Sequence, residues 1–133
     1  MIMSKFKYTN EYPINASARM IYPYLSTASG LAQWFCHDVR LNEDKIFNFI
    51  WDNQNHYAEM NSHRTNKSVR FVFLNNQKHH ESDPSYMDFC IETSELTQEH
   101  YLRVIDYSDE TDLVELNEMW DGLIQGLRDI LGG

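Results

Sequence analysis

Six histidines, two cysteines and twenty carboxylates give this 133-residue chain ample material for metal binding or acid–base work, so spacing decides whether any of it is organised. Neutral imidazole is a common zinc ligand, yet no His-x-x-x-His falls on a helical pattern. His79 and His80 are neighbours in a polar stretch, and His37 and His100 stand alone. His56 and His63 share one strand pattern at an odd separation, which sends them to opposite faces. Cys36 and Cys90 lie far apart with no second pair, so neither a zinc ribbon nor a disulfide framework is indicated. They read as two reduced, partly buried thiols, and only His37 lies beside Cys36 to lower its pKa. No metal and no cofactor are expected.

General acid–base catalysis needs two titratable groups brought together inside an apolar site. The candidates here are scattered: Glu59 with His63 on one strand, Tyr101 with Arg103 on another, and Asp106 near a strand end. Alternation turns Tyr101, Arg103 and Ile105 away from Leu102 and Val104, and turns Glu59 away from Ala58 and Met60. Asp106 shares the inward face but sits at the rim, where a solvated carboxylate is expected. No residue is assigned a catalytic role.

The elements that would position these groups follow from periodicity. Lys5 to Tyr12 alternates and then meets Pro13, which removes a backbone donor and ends a first strand. Asn15 caps a helix over Ala16 to Leu25, shortened or kinked by Pro23. A turn over Ser26 to Gly30 leads to a second short helical segment, Leu31 to Phe35. Period-two strands then follow at His37–Leu41, Lys45–Trp51, His56–His63, Ser68–Leu74, Ser85–Thr93 and Glu99–Tyr107, separated by polar turns and a loop over Asn75 to Pro84. Phe47, Phe49 and Trp51 share one face, as do Met87, Phe89 and Ile91, while Asn48, Asp88 and Glu92 lie opposite. The clearest signal is the last: Asp109 to Leu131 carries Leu113, Leu116, Trp120, Leu123, Leu127 and Ile130 along one helical stripe. Acidic residues crowd its start and Gly132 ends it with positive φ. The terminal Leu-Gly-Gly is read as that helix stop and not as a ubiquitin-like tail.

Composition narrows the partners. Eleven lysines and arginines against twenty acidic residues give a formal charge of -9, which repels nucleic acid and anionic membranes. Met1 to Tyr12 lacks the apolar run of a leader, and nowhere do eighteen apolar residues run together. The expected location is cytoplasmic, with the sequons at Asn15 and Asn66 silent. At this length one core over residues 1–133 suffices without disulfides.

The order strand, two short helices, six-stranded meander, long helix is an α+β helix-grip arrangement. Its landmark residues resemble START-like domains (the SRPBCC superfamily, which includes birch-pollen-allergen-like proteins). Gly30-Leu31-Ala32-Gln33-Trp34-Phe35 is similar to the Gly-Leu-x-x-Trp-Phe signature of the heat-shock-protein ATPase activator (Aha-like) branch. Phe47-x-Phe49-x-Trp51, Asn66-Lys67 leading into Val69-Arg70-Phe71, Ile105-Asp106-Tyr107 and Leu116-x-x-x-Trp120 resemble small bacterial START-like proteins. The resemblance implies a curved antiparallel sheet of about seven strands wrapped around the C-terminal helix, with an apolar tunnel between them. It implies a non-catalytic module binding a small hydrophobic molecule or lipid; a chaperone-associated protein-interaction module and a cyclase-like enzyme are the alternatives. The client-binding half of the two-domain co-chaperones has no counterpart here. The inward faces and the helix stripe would line the tunnel with Trp34, Phe47, Phe49, Trp51, Met60, Phe71, Phe73, Phe89, Leu102, Val104, Trp120 and Ile124. A filled core built from the same residues is the other reading of that set, and oligomeric state is left open.

Overall fold

The computed structural model describes residues 4–132. Among the described residues, seven strands form one antiparallel sheet in the order β1-β7-β6-β5-β4-β3-β2, accompanied by three helices. The strands are β1 (Phe6–Ile14), β2 (Asp38–Leu41), β3 (Ile46–Trp51), β4 (Gln54–Arg64), β5 (Ser68–Phe73), β6 (Tyr86–Thr93) and β7 (His100–Ser108). The helices are α1 (Ala18–Ser26), α2 (Ala28–Leu31) and α3 (Leu113–Leu131). No helix among the described residues is long and apolar enough to cross a membrane.

Alternation along the strands gives the sheet one apolar face. Phe47, Phe49, Phe71, Phe89, Ile91, Leu102 and Val104 are buried there against Leu116, Trp120, Ile124 and Leu127 of α3. The other face carries polar pairs: Arg70 grips Asp88 through Nε and Nη2 at 2.6 and 2.8 Å, and Arg103 meets Glu92 at 2.8 Å. Antiparallel sheets with one covered face divide in this way.

The connections are set by local chemistry. Asp52 and Asn53 both take positive φ (53° and 58°), the primed two-residue turn whose twist suits a hairpin. β4 therefore begins at Gln54 and not at His56. The α1 cap is Ser17, whose hydroxyl accepts from Met20 N, and not Asn15. Thr27 caps the four-residue α2 by accepting from Gly30 N at 3.0 Å, so the helix covers residues expected as a turn and ends at Leu31, where the second helical segment was expected to begin. Asp109 and Glu110 lie ahead of α3, which Asp112 caps by accepting from Glu115 N; Gly132 ends it at φ 86° as expected. The stripe on α3 is narrower than the sequence suggested: Leu113 and Ile130 are exposed, and Ile124 joins the buried set. Each residue advances about 100°, so Ile130 has rotated off the side that carries Leu116 to Leu127.

Two irregularities matter for side-chain placement. Pro13 does not end β1; the strand runs through it because β1 is an edge strand and pairs only with β7. Its carbonyl accepts from Arg128 Nε at 2.9 Å, tying the edge to α3. In β4 the register shifts between Met60 and Ser62, leaving Asn61 as an extra residue. Pairing of His63 with the buried Val69 then places it on the same face as His56, reversing the expectation from simple parity.

Candidate ligand-binding cavity

The apolar space between sheet and helix is filled at one end and open at the other. Phe47, Phe49 and Phe71 pack ring to ring at 5.1 to 6.0 Å, and Phe89 meets Trp34 and Trp120 at 5.8 and 6.0 Å. Beyond them a cavity of about 630 Å³ opens at the end of the sheet formed by the β3–β4 hairpin, the β5–β6 loop and the β7–α3 connection. Trp51, His56, Phe73, Met87 and Asp106 contribute from five successive strands; Leu116, Met119, Trp120 and Leu123 contribute from α3; Phe35 and Cys36 close one side. Trp51 stacks face to face on His56, with centroids 3.4 Å apart.

Of the residues named from sequence, Trp51, Phe73 and Trp120 line this cavity. Phe47, Phe49, Phe71, Phe89, Leu102, Val104 and Ile124 are packed as the filled core, and Met60 is half-buried against it. Trp34 is also buried away from the wall; its indole N–H donates to Tyr24 O at 2.8 Å. Period two tells which face a side chain takes but not its height along the strand, and height separates wall from core here.

Polar groups of the cavity fall into two sets. Asp106 is not the solvated rim carboxylate expected from sequence. Its Oδ2 accepts from Trp120 Nε1 at 2.9 Å, because a buried indole N–H needs a partner. Burial pushes the Asp106 carboxyl above its ordinary value, opposed by the bonds from Trp120 and Ser108 and reinforced by the negative charge of Glu110. Glu81, Asp109 and Glu110 join it in the lining, while no lysine or arginine does among the described residues. On the other side, His56 Nδ1 lies 3.1 Å from Phe49 O. A carbonyl only accepts, so Nδ1 carries a proton. Cys36 Sγ donates to Asp38 O at 3.2 Å, and burial raises its pKa. No group of three or more possible metal ligands forms among the described residues.

A second polar cluster, on β1 and α3, part-buried around the buried Tyr8 and Tyr12 hydroxyls, departs from the expectation. Tyr8 donates to Asn117 Oδ1 at 2.9 Å and shares a 2.7 Å bond with Tyr12 OH, and Asn10 Nδ2 reaches both hydroxyls. The Tyr-x-Asn-x-Tyr spacing, all on one strand face, was its signal.

The profile of the START-like superfamily domain matches residues 2–133. The chain belongs to the START-like superfamily. Among solved structures, this START-like chain is similar to an Aha1 dimer from Colwellia psychrerythraea, with a TM-score of 0.73 at 21% identity over 95% of this chain and 96% of that one. It is similar also to a protein from Mesorhizobium loti, with a TM-score of 0.73 at 14% identity over 96% and 97%. DynU16 of the dynemicin biosynthetic locus gives 0.71 at 13% identity over 95% of this chain and 47% of that one. At these identities the likeness is one of fold. Comparison with curated proteins finds no match.

Proposed function

We propose that this START-like chain is a non-catalytic binding module, one domain over residues 1–133, that takes a small apolar molecule or lipid fragment between its sheet and α3. The observation that carries this reading is the 630 Å³ cavity walled by Phe35, Trp51, Phe73 and Trp120 at the unfilled end of the core. Its size and mostly apolar lining with a few polar groups are those of small-molecule sites. Two free, half-buried cysteines suit a reducing, cytoplasmic setting.

Titration with the neutral fluorophore Nile red, followed by native mass spectrometry, tests it. Saturable one-to-one binding that quenches tryptophan emission and is lost in Leu123→Trp, which adds bulk at the wall, supports the reading. Binding that neither saturates nor responds to that change, with no small molecule carried through purification, overturns it.

A second reading, a protein-interaction module akin to Aha1, is favoured by Leu113, Val114 and Met119 standing exposed on the first half of α3. Recovery of a stable chaperone complex from a pull-down that Val114→Asp abolishes supports it; a chain that elutes alone does not.

A further inference from the structure

Only four of the twenty carboxylates form ion pairs among the described residues, so what sets the cavity apart is that four unpaired carboxylates share one mostly apolar lining. On the surface away from the cavity, Asp38, Asp88 and Glu92 pair with arginines, and Glu59 meets His80 at 2.9 Å. The four that line the cavity, Glu81, Asp106, Asp109 and Glu110, form no ion pair with a lysine, arginine or histidine among the described residues. The nearest cation shown is Lys78, whose ammonium lies 5.0 Å from the ring centroid of the lining residue Tyr57 and is taken up by that ring; Lys78 itself is not part of the lining. A cavity built for a fatty acid or another anion would carry the opposite arrangement. Two neighbouring carboxylates that repel one another at a half-enclosed apolar site gain most from a positive charge placed near them, since the low dielectric strengthens that attraction.

The apolar wall points the same way. Trp120, whose indole N–H meets Asp106, and Phe35, with its ring centroid 5.9 Å from that of Trp120, bring π surface to the acidic side, while Trp51 stacked on His56 lines the cavity from β3; a ring face attracts a cation lying over it. The whole chain, at -9, draws cations toward every opening.

Building on the reading of this cavity as a ligand site, we propose that its ligand is a cationic amphiphile, an apolar ring-bearing body with an ammonium group seated between the aromatic wall and Asp106 and Glu110. The body fills the space beneath α3, and the ammonium stays at the mouth, where Glu81 and Asp109 complete its anionic surround.

Three probes sharing one apolar body test this: 2-naphthylmethylammonium, neutral 2-naphthylmethanol and 2-naphthoate, each titrated by tryptophan quenching at low and at physiological salt. The ammonium is expected to bind about tenfold or more tightly than the alcohol, with the naphthoate weakest, and the ratio should shrink as salt rises. The double variant Asp106→Asn, Glu110→Gln keeps the acceptor oxygens that Trp120 Nε1 and Asp112 N use, so it should fold. It should bind the alcohol as before while the preference for the ammonium falls to near unity. Glu81→Gln, at a carboxylate that forms no ion pair among the described residues, should lower the preference in part and serves as a second variant. Glu43→Gln with Glu95→Gln, removing equal charge far from the cavity, should leave it intact. If the alcohol and the ammonium bind alike, the cation preference is refuted while the apolar-ligand reading stands. If the distant pair reduces the preference as much as the cavity pair, a general field and not this site is responsible, and the proposal fails. If none of the three binds, the reading of the cavity as a ligand site falls with it.

Discussion

The close approach of α2 to α1 at Gly30 sets up a sharp test. Gly30 of α2 lies against α1, and a Cβ built on it would overlap Pro23 O and stand 2.8 Å from Tyr24 Cα and 2.9 Å from Pro23 C. These are backbone atoms, fixed because Pro23 O accepts from Thr27 N and Oγ1 at 3.3 and 2.8 Å and Tyr24 O accepts from Trp34 Nε1. Gly30→Ala therefore cannot be absorbed by a side-chain rotation; α1 and α2 must separate by about 1 Å, an overpacking cost of about 3 kcal/mol. For a chain of this size that lowers Tm by about 10 °C. Gly122 and Gly126 of α3 provide the control, because nothing lies within 4 Å of a Cβ at either position. Alanine there should stabilise by about 0.5–1 kcal/mol each through helix propensity alone. Thermal unfolding followed by circular dichroism reads both signs. Gly30→Ala melting within about 2 °C of the parent, or falling no further than the α3 variants, would refute the argument from close approach. Because α2 carries the chain into Phe35 and Cys36, Gly30→Ala should also weaken Nile red binding at temperatures where the variant is still folded.

Asp106→Asn tests the electrostatics of the wall. A carboxyl whose folded-state pKa is raised gives stability that is full below its unfolded pKa and lost as pH rises through the folded one. The asparagine variant should therefore melt higher than the parent at pH 7, with the difference shrinking as pH falls toward 4; an equal difference at both pH values would contradict it. Tyr8→Phe should cost about 1–3 kcal/mol in urea unfolding by removing the donor to Asn117 Oδ1 and one of the two partners of Tyr12 OH, whereas Tyr101→Phe, whose exposed hydroxyl meets Glu99, should change stability by less than about 0.5 kcal/mol. Cys36 should react with iodoacetamide more slowly than a free thiol at pH 7.5, with a midpoint shifted upward, because burial disfavours its thiolate; a downward midpoint, read by mass spectrometry across pH, would refute that.

Long-period features are legible in residue spacing alone: most of the α3 stripe, its Gly132 stop and the in–out alternation of β3, β6 and β7 run along the sequence as they do in space. What escaped depends on single residues. Ser17 and Asn15 are equally competent caps by chemistry, and the choice between them is made by where β1 lets go. The extra residue at Asn61 turns His63 over, an effect invisible to a parity count. Asp106 was placed on the right face, but its burial follows from the reach of Trp120 across the core, a contact spanning fourteen residues that no local pattern encodes. The cavity itself depends on which aromatic rings stop short along each strand, so Met119 and Leu123 join its wall through the way α3 lies across the sheet, and Phe35 through where α2 delivers the chain.

The two margins of the sheet bear on how copies of this chain meet. β2 is only four residues long and ends in the ion-paired Asp38–Arg40 and the exposed Leu41, while β1 presents Pro13, which has no amide hydrogen to offer an incoming strand. Neither border is a good template for strand-to-strand polymerisation, the hazard that open sheets carry. Replacing Pro13 by a β-branched residue would restore an amide hydrogen on β1 and remove one of the two guards against an incoming strand.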